Sequence, residues 1–144
     1  MRARSELADF ARGVHPASLT DAGLAAALAD LAHRTPIVTE LTVAAGRADP
    51  VTEATIYFVC SEAIANAAKY AEASTIAIAV REVDDTMQLT VADDGRGGAR
   101  LNPGGGLRGL ADRVEALGGT FDLQSQAGIG TALRVEMPLG SPPA

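Results

Sequence analysis

With no tryptophan, two tyrosines and three phenylalanines in 144 residues, the chain has no aromatic platform on which nucleic-acid bases could stack. Basic residues are also in short supply: 12 Lys and Arg stand against 18 Asp and Glu, and a formal net charge of -6 repels a phosphate backbone. Both shortages exclude a nucleic-acid partner. The single cysteine, Cys60, cannot form an internal disulfide; it falls among Ile56, Val59 and Ile64 in an apolar helical pattern and reads as a small core residue in a reducing compartment. No apolar run approaches the length of a membrane span and MRARSELADF lacks a signal-peptide core, so the segment reads as soluble and cytoplasmic, while a longer parent can still carry an anchor. His15 and His33 have no ligand spacing with Cys60 or a carboxylate, which leaves a zinc site unsupported. Neither GxxxxGK[ST] nor a strand-borne DFG occurs, which removes the P-loop and protein-kinase ways of holding ATP.

What is present is aliphatic. The chain is 47% hydrophobic and 21% charged, rich in Ala and Gly, and near the usual size of one domain with one core. Leu7, Phe10 and Ala11 have helical spacing until Gly13 and Pro16 interrupt it. A helix is predicted from Gly23 to about Arg34, capped by Thr20 or Asp21, followed by a strand from Ile37 to Ala44. Asp49 and Pro50 open a long helix from Val51 to about Ala71. Alternating β-branched residues predict a hairpin of Thr75–Val83 and Met87–Ala92 about Asp84-Asp85, then a helix from Leu107 to Leu117 stopped by Gly118-Gly119. Thr120–Gln124 and Thr131–Met137 form a last hairpin, and the GSPPA tail reads as disordered. Together these elements predict a two-layer α/β sandwich: a mixed, mainly antiparallel sheet under three helices.

Four short segments carry candidate chemistry. Glu62 and Asn66, four apart on the long helix, put a carboxylate and a carboxamide on one face; the amide oxygen suits Mg²⁺ and the carboxylate can orient a nucleophile. Asp93 ends a strand before Asp94-Gly95-Arg96-Gly97-Gly98, where a carboxylate can accept from an exocyclic amine and bare glycine backbone can admit a ring. Gly104-Gly105-Gly106 precedes a helix whose first amides suit phosphate oxygens. Thr131, after Gly128-Ile129-Gly130, offers a hydroxyl. Taken singly, the first reads as an amphipathic polar face and the second and fourth as ordinary turns, while the third is equally a surface loop. Arg108 and Arg113 read as a solvated helix face.

In order and spacing the four segments resemble the ATPase superfamily of gyrase, heat-shock chaperone, histidine kinase and mismatch-repair proteins. Glu62-Ala63-Ile64-Ala65-Asn66-Ala67-Ala68-Lys69-Tyr70-Ala71 is similar to its N box, Asp93-Asp94-Gly95-Arg96-Gly97 to its G1 box, Gly104 to Leu110 to its G2 box, and Gly130-Thr131 to its final Gly-Thr. The run Gly106-Leu107, Gly109, Asp112-Arg113 and Gly118-Gly119 most resembles histidine kinases of the nitrate-sensor type, as does the upstream Arg12-Gly13-Val14-His15-Pro16.

The resemblance implies a Bergerat-type fold that binds ATP with Mg²⁺ and transfers the γ-phosphoryl to a histidine. It makes Glu62 catalytic and Asn66 the Mg²⁺ ligand, gives adenine to Asp93, and puts Gly95, Gly97, Gly104, Gly106, Leu107, Lys69 and Thr131 in the nucleotide pocket. Residues 96 to 106 become the ATP lid. Tyr70 departs from a position where that subfamily often has His, and His15, in front of Pro16, lacks the acidic and basic neighbours of a phosphoacceptor. The acceptor histidine is therefore expected outside this chain, and autophosphorylation of the chain alone is not expected. The implied layout is the end of a dimerisation helix at 1–14, a linker at 15–20, the ATP-binding domain at 21–138 and a tail at 139–144. The implied partners are the histidine-bearing dimerisation domain of a homodimeric parent and a response regulator, the domain itself being monomeric. Two other functions share the boxes: an anti-sigma-factor type Ser/Thr kinase, and a nucleotide-binding regulatory module without transfer activity.

Overall fold

The computed structural model describes residues 23–68, 73–95, 106–126 and 130–139. The early helix, the linker, Lys69, Tyr70, Gly97, Gly104, most of the expected lid and the GSPPA tail lie outside the described residues. The described elements, in chain order, are α1 (Leu24–His33), β1 (Val38–Ala44), α2 (Pro50–Asn66), β2 (Thr75–Val83), β3 (Thr86–Asp93), α3 (Gly106–Ala116), β4 (Thr120–Gln126) and β5 (Gly130–Pro138).

The strands form one sheet in the order β1-β2-β3-β5-β4. β1 runs parallel to β2, as it must when α2 carries the chain back between them, and the other three pairings are antiparallel. Strand alternation explains why the sheet has a dry face and a wet one. Ile76, Ile78 and Val80 of β2, Met87, Leu89 and Val91 of β3, and Leu133, Val135 and Met137 of β5 are all buried, while Thr75, Ala77, Arg81, Thr90, Ala92 and Arg134 between them are exposed. Burying each such aliphatic side chain is worth about 1.5–3 kcal/mol, so register is strongly enforced: a slip of one residue would turn the whole set outward. The helices cover the dry face, α1 against β1, α2 against β3 and β5, and α3 against β4. The expected mixed sheet under three helices is the observed architecture.

α2 lies between α1 and α3, and every residue from Thr52 to Ser61 is buried. Its start is secured by polar groups suited to that burial. Asp49 Oδ1 accepts from the Val51 amide at 2.9 Å with Pro50 as first helical residue, and the buried Glu53 carboxylate accepts from the Ala48 amide at 3.1 Å and from the Arg47 guanidinium at 3.1 Å. Cys60 is fully buried, and burial pushes its thiol up to about 12, as befits a core residue.

Local differences from the expected elements have local causes. The N-cap of α1 is Gly23, with φ of 93°, rather than Thr20 or Asp21; the Arg47 side chain sits where a Cβ at Gly23 would be. α2 is described as α-helix to Asn66, with a π-type turn at residues 67 and 68 and the Ala73 amide donating to the Ala67 carbonyl at 3.2 Å; the expected end near Ala71 lies outside the described residues. Asp84 and Asp85 both have positive φ, 47° and 64°, the form of a two-residue hairpin turn whose twist matches its strands. α3 ends one residue before the expected Leu117. The Gly119 amide bonds the Val114 carbonyl at 2.9 Å and the Gly118 amide bonds that of Glu115 at 3.1 Å, with Gly118 left-handed at φ 87°. Among the described residues no helix is long and apolar enough to cross a membrane.

Candidate functional site

Strand register gathers the candidate residues at one end of the sheet. Asp93, the last residue of β3, stands opposite Ile76 near the start of β2 and opposite Thr131 near the start of β5. α2 leads from Asn66 towards that same end, and α3 begins there: a Cβ built on Gly106 would lie 2.6 Å from Cδ of Glu62 and 2.7 and 2.9 Å from its two oxygens. The catalytic candidate on α2 therefore touches Gly106, the first residue of α3. Tertiary packing thus joins two segments over 40 positions apart in the chain.

Glu62 and Asn66 are half-buried, as α2 emerges from between its neighbours after Ser61. Their shared helix face is partly enclosed, which sets aside the purely solvated face that helical spacing alone allowed. The single carboxamide of Asn66 suits Mg²⁺, which keeps most of its ligands as water and phosphate oxygens. Among the described residues no three of His, Cys, Asp and Glu are grouped as a metal site.

Asp93 is held by backbone. Its Oδ1 accepts from the Gly95 amide at 2.9 Å and from the Thr131 amide at 3.3 Å. Both bonds fall on one oxygen, so among the described residues Oδ2 is the one left to accept from a ligand. Gly95 is buried and Asp93 half-buried. Gly130, at φ 137°, lets β5 come in close: a Cβ there would collide with the carbonyl oxygen of Asp93. The Thr131 hydroxyl is 3.0 Å from that of Ser125 on β4, which orients it along the sheet. Arg108 is exposed beside Asp112, in keeping with a solvated helix face.

Two participants were not singled out from sequence. Asp94 Oδ1 accepts from the Ser74 amide at 2.8 Å and the Thr75 amide at 3.0 Å, and its Oδ2 accepts from the Ser74 hydroxyl at 2.6 Å. These bonds, that of the Ser74 hydroxyl foremost, hold the Asp94 carboxyl well below the usual carboxylate range. The Asp-Asp doublet was the available signal, but nothing in the sequence paired it with Ser74, 20 residues away.

Among the described residues the site thus offers a carboxylate oxygen able to accept from a ligand, an amide oxygen beside a carboxylate, and a helix start that lacks a side chain. Residues 51–141 match the family model for the histidine kinase-, DNA gyrase B-, and HSP90-like ATPase. The chain is similar to the signal transduction histidine-protein kinase/phosphatase DegS of Bacillus subtilis (strain 168), 31% identical over 99 residues, covering 65% of this chain and 26% of that protein. Sensor histidine kinase YdfH of the same organism is 34% identical over 97 residues, covering 63% of this chain and 24% of its own. The histidine kinase domain of the Erythrobacter litoralis EL346 blue-light activated histidine kinase superposes with a TM-score of 0.61 at 26% identity, over 82% of this chain and 60% of that one. The chain thus spans about a quarter of the length of the curated relatives it matches. These relatives are histidine kinases, which does not favour the anti-sigma-factor or non-transferring alternatives. From the site and these likenesses together, the chain belongs to the histidine kinase-, DNA gyrase B-, and HSP90-like ATPase family, and its ATP-binding domain is of the histidine kinase type.

Proposed function

We propose that the chain is the ATP-binding catalytic domain of a cytoplasmic two-component sensor kinase, passing the ATP γ-phosphoryl to a histidine on a dimerisation helix and thence to a response-regulator aspartate. The layout expected from the sequence belongs to this proposal, with residues 1–14 as the end of that helix and 15–20 as the linker. The observation that carries it is the contact between Glu62 and Gly106, which sets a carboxylate at the start of α3, one turn from Asn66.

In this reading Asp93 Oδ2 accepts from the adenine amino group while Gly95 and Gly97 leave backbone for the ring to lie against. Asn66 holds Mg²⁺, whose bound charge offsets that of the phosphates. Gly104, Gly106 and Leu107 shape the phosphate end through bare backbone and the first amides of α3, with Lys69, three residues after Asn66 in the sequence, as a further charge for the phosphates and the Thr131 hydroxyl at the pocket margin. Glu62 orients the attacking histidine. Phosphoryl transfer needs mainly alignment and neutralised charge, so these few groups are a sufficient set.

Calorimetric titration with ATP, with and without Mg²⁺, tests the pocket. Wild type is expected to bind, and Asn66→Ala to lose the Mg²⁺ dependence; a wild type that binds no ATP under either condition removes the kinase reading. Given a dimerisation helix as acceptor, Glu62→Gln is expected to bind ATP normally and to transfer about 10²–10⁴-fold more slowly. Gly106→Ala probes the contact itself. The atoms it meets are the movable end of the Glu62 side chain, so the variant is expected to cost less than about 1 kcal/mol of stability yet slow transfer at unchanged ATP affinity. An unchanged transfer rate would show that Glu62 need not sit against α3.

A further inference from the structure

The Asp94 clamp lies beside the nucleotide site without lining it in any role assigned so far. Its carboxylate takes both amides and the hydroxyl at the start of β2, and its own amide donates to the Thr75 carbonyl at 3.3 Å. Residues 74–75 and residue 94 are thus tied in both directions. On one side of the tie, the chain reaching Ser74 comes from the end of α2, where the Ala67 carbonyl takes the Ala73 amide next to Asn66. On the other side, Asp94 separates Asp93 from Gly95, the two residues joined by the Asp93 Oδ1 bond.

We propose that Asp94 is a positioning residue for the nucleotide site: by clamping Ser74 and Thr75 it fixes the turn that aims Asp93 and anchors that turn to the chain leaving the Asn66 end of α2. The proposal rests on the ATP-site reading above. Its physical basis is that residue 94 is the link between the end of β3 and Gly95, and its bonds to Ser74 and Thr75 set the direction of that link. β3 ends at Asp93, and the direction in which the chain departs determines whether the Gly95 amide can reach Asp93 Oδ1. The carboxylate is strongly ionised, in keeping with three donors converging on it. It is also solvent-exposed, so its value lies in local geometry rather than in global stability.

The geometry specifies which substitution preserves the clamp. Oδ1 receives both backbone amides, whereas Oδ2 receives only the Ser74 hydroxyl, whose proton can rotate. Asparagine keeps the first acceptor and can donate to the Ser74 oxygen in place of the second, whereas alanine keeps neither. Asp94→Ala and Asp94→Asn are therefore compared in the full chain by three measurements: MgATP titration, chemical denaturation, and hydrogen exchange at the Gly95 and Thr131 amides by nuclear magnetic resonance without nucleotide.

Asp94→Ala is expected to raise the ATP Kd about tenfold, a modest displacement of the aiming carboxylate, and to speed exchange at both amides. Asp94→Asn is expected to restore both readouts to near wild type, and the denaturation midpoints of both variants to stay close to it. Wild-type affinity in Asp94→Ala overturns the proposal. So does failure of Asn to rescue when both variants lose stability equally, because the residue is then merely structural. If the wild type itself binds no ATP, the ATP reading fails separately, and the clamp is decided by the amides: unchanged exchange at Gly95 and Thr131 in Asp94→Ala overturns it.

Discussion

Asp93→Ala is expected to weaken ATP binding by about a hundredfold, the loss of a charge-assisted contact together with the arrangement behind it. The carboxylate has two tasks carried by different oxygens, and substitutions can separate them. Oδ1 satisfies the amides of Gly95 and Thr131, and since Gly95 is buried, removing it is also expected to cost about 1–3 kcal/mol of stability. Asp93→Asn isolates the second task. Its amide oxygen will face the two N–H donors, because the NH2 group there would oppose them, and the NH2 group then occupies the Oδ2 position. A donor now meets the exocyclic amine of adenine. Asp93→Asn is therefore expected to keep wild-type stability in denaturation while its ATP Kd rises about thirtyfold, equivalent to about 2 kcal/mol. Its discrimination against GTP, which presents a carbonyl oxygen at the corresponding ring position, should fall. If Asp93→Asn binds ATP as wild type does, Asp93 does not read the base.

Gly130→Ala is expected to destabilise the protein by about 2–4 kcal/mol in chemical denaturation, more than Gly106→Ala does. Two independent penalties combine there. The φ of 137° is open to glycine and strained for alanine, and the new methyl would collide with the backbone carbonyl of Asp93, which cannot swing aside as a side chain can. The contrast with Gly106→Ala is the diagnostic part: both added methyls meet close neighbours, but one neighbour is the movable end of Glu62 and the other is fixed backbone. Relief by parting β5 from β3 would also draw the Thr131 amide from Asp93 Oδ1. Residual folded Gly130→Ala should accordingly bind ATP poorly. Stability close to wild type in this variant would mean that the strands do not approach as closely as described.

Much of the architecture was legible from periodicity. Alternation in Ile76, Ile78, Val80 and in Met87, Leu89, Val91 marked strands buried on one face, and Asp49-Pro50 and Gly118-Gly119 marked helix ends, because these signals depend on neighbouring residues and backbone angles. The end of α2 was less legible. The sequence stays apolar and helix-compatible through Ala67 and Ala68, where the described chain already forms a π-type turn, and the bond from the Ala73 amide to the Ala67 carbonyl has no compositional mark. The absent side-chain cap of α1 has a similar cause: the cap residue Gly23 has a φ of 93°, which favours glycine, and the Arg47 side chain, 24 residues further on, packs where a Cβ would be.

The candidate site divides along the same line. By itself the sequence determined the identities and order of the chemical groups, a carboxylate and carboxamide one helical turn apart, an Asp-Gly strand end and a glycine-rich helix start, since helix and strand periods place side chains from near neighbours alone. Only the tertiary structure decided which of these groups meet. Glu62 comes against Gly106, Asp93 is held through one oxygen by Gly95 and Thr131, and Asp94 pairs with Ser74, because sheet register and the packing of α2 against α3 join segments that local preferences leave independent.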